Sequence, residues 1–121
     1  MVQCHPHMWF YIHIVHKKGV IMEITVTQDG NKATIALDGK LSVATSPDLE
    51  ATIQGLPATT NEFVIDLSKL EYISSAGLRV LVSTEKTAGQ RKGKMTLLHP
   101  NDEVSEVFDM TGLADVFTIE A

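Results

Sequence analysis

Hydrophobic and polar residues alternate over residues 22–27, where Met22, Ile24 and Val26 interleave with Glu23, Thr25 and Thr27. That period of two predicts a half-buried strand. Asp29-Gly30-Asn31 is a turn signal, and Ala33, Ile35 and Leu37 then resume the alternation, so the two runs predict a hairpin. Leu49, Ile53 and Leu56 recur at helical spacing in SVATSPDLEATIQGLP. There Ser46 is placed to cap, Pro47 suits the first turn, and Asp48 and Glu50 favour the positive end. A start one turn earlier, near Ser42, is compatible with the same pattern. EFVIDL (62–67) is apolar on both faces, which predicts a central strand covered on both sides. SKLEYI then reads as a short turn. AGLRVLVSTEKTAGQRKG predicts a second helix with Leu78, Leu81 and Val82 as its apolar stripe. KMTLLH (94–99) predicts another strand. PNDEVSEVFDMTGL predicts a short helix, capped by Asn101 or Asp102, with Val104, Val107 and Phe108 inward. Gly112 stands where a left-handed cap would, with Leu113 placed to pack back on Phe108. DVFTIE closes the chain as a last strand. The order is β-β-α-β-α-β-α-β, an α/β domain with a small, mostly parallel mixed sheet, a hairpin start and flanking helices.

The 121 residues make one domain, with a single modest core. Hydrophobic residues at 44% and charged ones at 21% place the chain among soluble globular proteins. A formal net charge of −5 argues against direct nucleic-acid binding and against attraction to an anionic membrane. With Cys4 as the lone cysteine no internal disulfide forms, which fits a cytoplasmic location.

Residues 1–21 differ from the rest. They hold the only Trp, the only Cys and four of the five His, and no acidic residue. The apolar run from Met8 to Val15 is about half a bilayer-spanning length, and its lysines follow it, unlike a signal peptide. His5, His7, His13 and His16 lack the cysteine or carboxylate cluster of a metal site, so no metal is expected. WFYIHIV would extend the first hairpin as one more strand. Lys17-Lys18-Gly19-Val20 can be encoded by AAAAAAGGAGTN, which resembles a bacterial ribosome-binding site just ahead of the Met22 codon. The expectation is that 1–21 is an atypical extension, translated leader before a natural start at Met22, and that 22–121 is the domain.

Chemistry-bearing motifs are sparse. Neither GxGxxG nor GxxxxGK[ST] occurs, so no phosphate loop is present, and no GxSxG elbow for a nucleophile. His99 stands alone at a strand end, and Asp66 has no titratable partner nearby in sequence. No catalytic residue, cofactor or metal is assigned, and the protein is not expected to be an enzyme. What remains is Ser74-Ser75 in EYISSAGLRVL, where the second helix starts. Serine is a good N-cap, and capping accounts for one hydroxyl. The first turn of a helix also accommodates a phosphate, so the second hydroxyl is a candidate switch.

IALDGKLSVATSPDLE, FVIDLSKLEYISSAGLRVLV, GKMTLLHPNDEVSEVFDMTGL and FTIE, in that order, resemble the STAS domain of bacterial anti-sigma factor antagonists. The likeness covers nearly all of 22–121 and none of 1–21. It implies a partner-switching role. The unphosphorylated antagonist binds an anti-sigma factor, often also a serine kinase of the histidine-kinase-like ATPase type, and a sigma factor is released. Phosphorylation breaks the complex, and a protein phosphatase resets it. By motif the phosphoacceptor falls on Ser75. Ser74 and Ser42 fall where many members have aspartate, and Ala76 where many have serine or threonine. The implied binding surface is Ser42 to Ser46 and Ser74 to Arg79, including Ser75, Ala76 and Gly77, with Val82 and Lys86. No membrane insertion is implied, and the chain alone is a monomer or weak dimer. The alternative role is a STAS scaffold that binds without being phosphorylated, in a signalling or lipid-transport complex. If residues 1–21 are leader, N-terminal sequencing of protein from the native locus will begin at Met22 or Glu23. Such a chain keeps 8 basic and 15 acidic residues, for a net charge of −7; a terminus at Met1 or Val2 refutes this start.

Overall fold

The computed structural model describes residues 8–17 and 20–120, with side chains from residue 22 onward. Cys4, His5 and His7, and the side chains of His13 and His16, lie outside the described residues. Six strands form one sheet in the order β1-β2-β3-β4-β5-β6: Met8–Lys17, Val20–Asp29, Lys32–Leu41, Glu62–Ile73, Lys94–Leu98 and Thr118–Glu120. Helices α1 (Ser46–Gln54), α2 (Ser75–Gln90) and α3 (Asp102–Thr111) alternate with the later strands. From Met22 the element order is the expected one. The strand within WFYIHIV is β1, which pairs antiparallel with β2 from Met8↔Asp29 to Lys17↔Val20.

β2 and β3 are antiparallel, and β3 to β6 run parallel. Each parallel step crosses over through one helix and moves the sheet in the same direction. Crossovers of one hand, taken in one direction, place all three helices on one face. The burial alternation agrees. Met22, Ile24 and Val26 of β2, Ala33, Ile35 and Leu37 of β3, Phe63, Ile65 and Leu67 of β4, and Met95 and Leu97 of β5 are all buried. Their neighbours on the other face, Thr25, Thr34, Val64 and Asp66, are half-buried. The expectation that β4 is covered on both faces is therefore corrected. Val64 sits between Thr34 and Thr96 in the ladder, on the face that carries no helix among the described residues.

The strand expected to stop at Leu67 continues to Ile73. SKLEYI is not a turn, because β4 carries two bulges. Ala36 pairs with Asp66 but Asp38 with Lys69, and Gly39 pairs with Leu70 but Lys40 with Tyr72. Each bulge adds one residue to β4 and reverses which side chain faces the core. The buried residues are consequently Leu67, Leu70 and Ile73, three apart instead of two. Asp66 supports the first bulge, its Oδ1 accepting from the Ser68 N–H at 2.9 Å.

α3 starts at Asn101, whose side chain accepts from the Val104 N–H at 2.8 Å and donates to the Leu70 carbonyl at 3.1 Å. That second bond ties the helix to the bulged end of β4. Gly112 ends α3 at φ 79°, as expected. Phe108 meets Phe117 edge-on at 5.6 Å between ring centres, while Leu113 is half-buried against the core. A single 3₁₀ turn, Leu113–Asp115, shortens the last strand to Thr118–Glu120.

Two glycines near the end of α2 differ in sign. A methyl group on Gly89 meets nothing within 4 Å, whereas one on Gly93 would collide with the Asn61 carbonyl. That carbonyl is fixed by the Lys94 N–H at 2.9 Å, and Gly93 itself by its bond to the Ala88 carbonyl at 2.7 Å. Gly89→Ala is expected to raise stability by about 0.5–1 kcal/mol, since alanine is the better helix former. Gly93→Ala is expected to cost at least about 3 kcal/mol, a drop of roughly 10 °C or more in Tm. Thermal and urea unfolding of both variants will check the opposite signs.

Candidate functional site

β3 and β4 end side by side, with Leu41 opposite Ile73. The Leu41 carbonyl accepts from the Ser74 N–H at 2.8 Å, so the ladder closes where α2 begins. Ser74 has extended backbone (φ −95°, ψ 172°), and its Oγ accepts from the Gly77 N–H at 3.2 Å. That is an N-cap bond to the third residue of the helix. Ser74 is 8% exposed. Ser75 is the first helical residue and is exposed. One serine makes the cap, and its neighbour presents a hydroxyl to solvent.

Gly77 is buried against the strand ends. A methyl group there would lie 2.7 Å from Leu41 Cγ and 3.0 Å from Ile73 Cγ1, so the first turn of α2 rests directly on both residues. No acidic residue stands in that turn. Its unpaired N–H groups and partial positive charge are left without a side-chain anion. Further along α2, Arg79 and Lys86 are exposed and Val82 is half-buried, packed against the core.

The loop after β3 is a tight turn. The Ser42 carbonyl accepts from the Ser46 N–H at 2.9 Å and from Ser46 Oγ at 2.6 Å. Thr45 Oγ1 accepts from the Ser42 N–H and donates to the Lys40 carbonyl, both at 2.8 Å. Ser46 is therefore not the cap expected for α1. Thr45 occupies that position with no side-chain cap bond, because its hydroxyl is used within the turn. The start one turn earlier, near Ser42, is not taken: α1 begins at Ser46, and residues 43–45 form a hydrogen-bonded turn ahead of it. Thr45 and Ser46 are buried at 0% and 2% exposure, and Val43 stands out at 71%.

Between α1 and α2 lies a groove of about 440 Å³, lined by Val43, Pro47, Ala76 and Val80, with Glu50 and Arg79 as its charged members. The structure thus brings the turn at 42–46 and the start of α2 to one surface. Of the residues expected to contact a partner, Ser42, Ser75, Ala76, Arg79, Val82 and Lys86 retain exposed or half-buried side chains. Ser46, Ser74 and Gly77 do not, since two hydroxyls are bonded inward and the glycine is pressed on Leu41. These three shape the surface from beneath.

Val43 falls within the expected 42–46 stretch, whereas sequence reasoning missed a second hollow of about 430 Å³ lined by Lys40, Ser42, Glu71, Tyr72 and Glu103. Its signal was the shift of apolar spacing from two to three across Leu67, Leu70 and Ile73. Asp66 is engaged by Ser68, and His99 is exposed at the end of β5. Among the described residues no three His, Cys, Asp or Glu side chains are grouped to hold a metal ion. No helix among the described residues is long and apolar enough to cross a membrane.

A mixed sheet with three helices on one face, and a capped helix start at the end of its longest strand, defines a small α/β domain. Residues 24–119 match the family model described as Mlab, STAS domain, and the chain belongs to the STAS-domain family. It is 31% identical over 99 residues to BtrV of Bordetella bronchiseptica, named as an anti-sigma factor antagonist, with 81% of this chain and 85% of that protein covered. The anti-sigma-B factor antagonist of Staphylococcus aureus is 29% identical over 96 residues, covering 78% of this chain and 88% of its own. Among solved structures, an anti-sigma factor antagonist from Mycobacterium paratuberculosis superposes with a TM-score of 0.72 at 25% identity, covering 81% of this chain and 84% of that one.

The two serines will separate in stability measurements. Ser74→Ala leaves the Gly77 N–H without its cap and is expected to cost about 1 kcal/mol. Ser75→Ala, at an exposed position, is expected to stay within about 0.5 kcal/mol of the parent. Urea unfolding at constant m will read both.

Proposed function

We propose that this protein is an anti-sigma factor antagonist, which in its unphosphorylated form binds an anti-sigma factor and frees a sigma factor. In this reading the anti-sigma factor is also a serine kinase, phosphorylation of Ser75 ends binding, and a protein phosphatase restores it. The role is binding, without catalysis by this chain.

The observation that carries the proposal is the division of the serine pair. Ser74 is used in the cap, and Ser75 is exposed next in sequence to Ala76, which lines the groove between α1 and α2. A phosphate on Ser75 would add about −1.5 to −2 charges at neutral pH. The helix end tolerates that charge, since its N–H groups and dipole favour an anion. A partner seated over Val43, Ala76 and Arg79 would not, because the phosphate would be stripped of water or set against the partner's own groups. Every 1.4 kcal/mol of such a penalty is tenfold in affinity, so a modest mismatch suffices to dissociate the pair. The relatives named above as antagonists support the same assignment.

A second reading is a STAS scaffold that is never phosphorylated. It is favoured by Ser74 and Ser42 standing where aspartate is common in the resembling family, which leaves the first turn of α2 without an acidic residue.

The two readings part on one pair of experiments. Intact-mass measurement after incubation with the cognate anti-sigma factor and ATP is expected to show one added phosphate on the parent and none on Ser75→Ala. Calorimetry is expected to give Ser75→Ala the parent's affinity and to weaken Ser75→Asp at least about tenfold, the equivalent of 1.4 kcal/mol. Equal affinities for the two variants, with no mass gain, would leave the scaffold reading.

A further inference from the structure

The second bulge of β4 builds a feature that the switch at Ser75 does not use. Glu71 is the extra residue between the Gly39↔Leu70 and Lys40↔Tyr72 pairs. In a regular strand neighbouring side chains point to opposite faces, but at a bulge the chain bends and re-aims them. Glu71 and Tyr72 accordingly line one hollow, together with Lys40, Ser42 and Glu103 from the first turn of α3. Tyr72 is 48% exposed, a large ring held open to solvent. Neither Glu71 nor Glu103 has a hydrogen-bond or ion-pair partner among the described residues. The turn beginning at Ser42 gives Ser42 to this hollow and Val43 to the groove between α1 and α2, so one partner can reach both.

We propose that this hollow takes an arginine side chain of the protein that binds at the Ser75 surface, an inference that rests on the binding role proposed above. The choice follows from charge and shape. Two carboxylates outweigh Lys40, and the whole chain carries −5, so a partner gains by bringing cations. A planar guanidinium can stack on the Tyr72 ring while forking to a carboxylate, which a compact ammonium cannot do. The groove at Val43 would then hold an aliphatic side chain of the same partner, and the hollow would set its register.

The test needs neither the partner nor the phosphate. The ¹⁵N-labelled full chain is titrated with N-acetyl-arginine amide and, in parallel, with the neutral N-acetyl-citrulline amide. The arginine probe is expected to shift the amide resonances of Lys40, Ser42, Glu71, Tyr72 and Glu103, with shifts at least about fivefold smaller for citrulline at equal concentration. Tyr72→Leu with Glu103→Gln should suppress the response while the spectrum stays dispersed. Glu103→Gln alone, which alters one exposed carboxylate, should weaken it in the same direction and serves if the double variant unfolds. Equal shifts from both probes, shifts only elsewhere, or an undiminished response in Glu103→Gln would overturn the proposal. Failure here leaves the Ser75 switch standing, and loss of that switch leaves this hollow to be judged by its own titration.

Discussion

The seat of α2 on the paired ends of β3 and β4 is the contact on which the rest of the site depends. Leu41 and Ile73 face each other in the ladder, and Gly77 lies against both. The Leu41 carbonyl holds the Ser74 N–H, so cap, strand end and helix start are one unit. That unit exists only because β4 is two residues longer than its ladder partner over the same span. Without the bulges Ile73 would lie two residues past Leu41 in the ladder. The bulges thus act at a distance from Ser75. They set where the helix begins, and the helix start sets what is exposed.

From that seat follows the separation between fold and signal. The hydroxyl of Ser74 is committed to the backbone, and removing it costs helix stability. The hydroxyl of Ser75 is committed to nothing in the fold. A modification there changes the charge of a surface, not the packing beneath it, because Leu41, Ile73 and Leu81 remain buried at 3% exposure or less. The start of α2 also has an unused electrostatic capacity. With no acidic residue in the first turn, an added anion meets unpaired N–H groups and no negative neighbour on the same turn. An aspartate at Ser74 could have capped the helix equally well. It would have placed a fixed negative charge next to the one that phosphorylation would add.

Most of the fold was legible because its signals are local. The β2–β3 hairpin announced itself by strict alternation around Asp29-Gly30-Asn31, and α3 by Asn101 before it and Gly112 after it. The end of β4 was not legible, since Ser68 to Ile73 shows neither period two nor period 3.6. Its buried residues fall three apart, a spacing that arises only once the neighbouring strand forces two bulges. The covering of β4 was misjudged for a related reason. A run of Phe63, Val64 and Ile65 looks buried on both faces, but the helices fall on one side through the direction of the crossovers, a property of the whole chain. The cap of α1 was misplaced by one residue because Thr45 and Ser46 are both competent, and only the tertiary turn to Lys40 decides between them.

The exposed hydroxyl at the start of α2 was legible in the sequence and the hollow at Tyr72 was not, and the reason is physical. Local geometry marked the serine pair, since a helix start and a spare hydroxyl are adjacent in sequence, and the family motif singled out Ser75. Tyr72 could not be found this way, because its exposure comes from strands and loops that meet only in three dimensions. Exposed apolar and aromatic side chains of this kind carry no stabilising role in the isolated domain. Val43 at 71% and Tyr72 at 48% exposure flank the same turn at Ser42. In the reading proposed above, an interface that spans both would draw its affinity from desolvating them, while phosphorylation of Ser75 would decide whether binding occurs. Affinity and control would then be carried by different residues, and the switch would not require a weak binding surface.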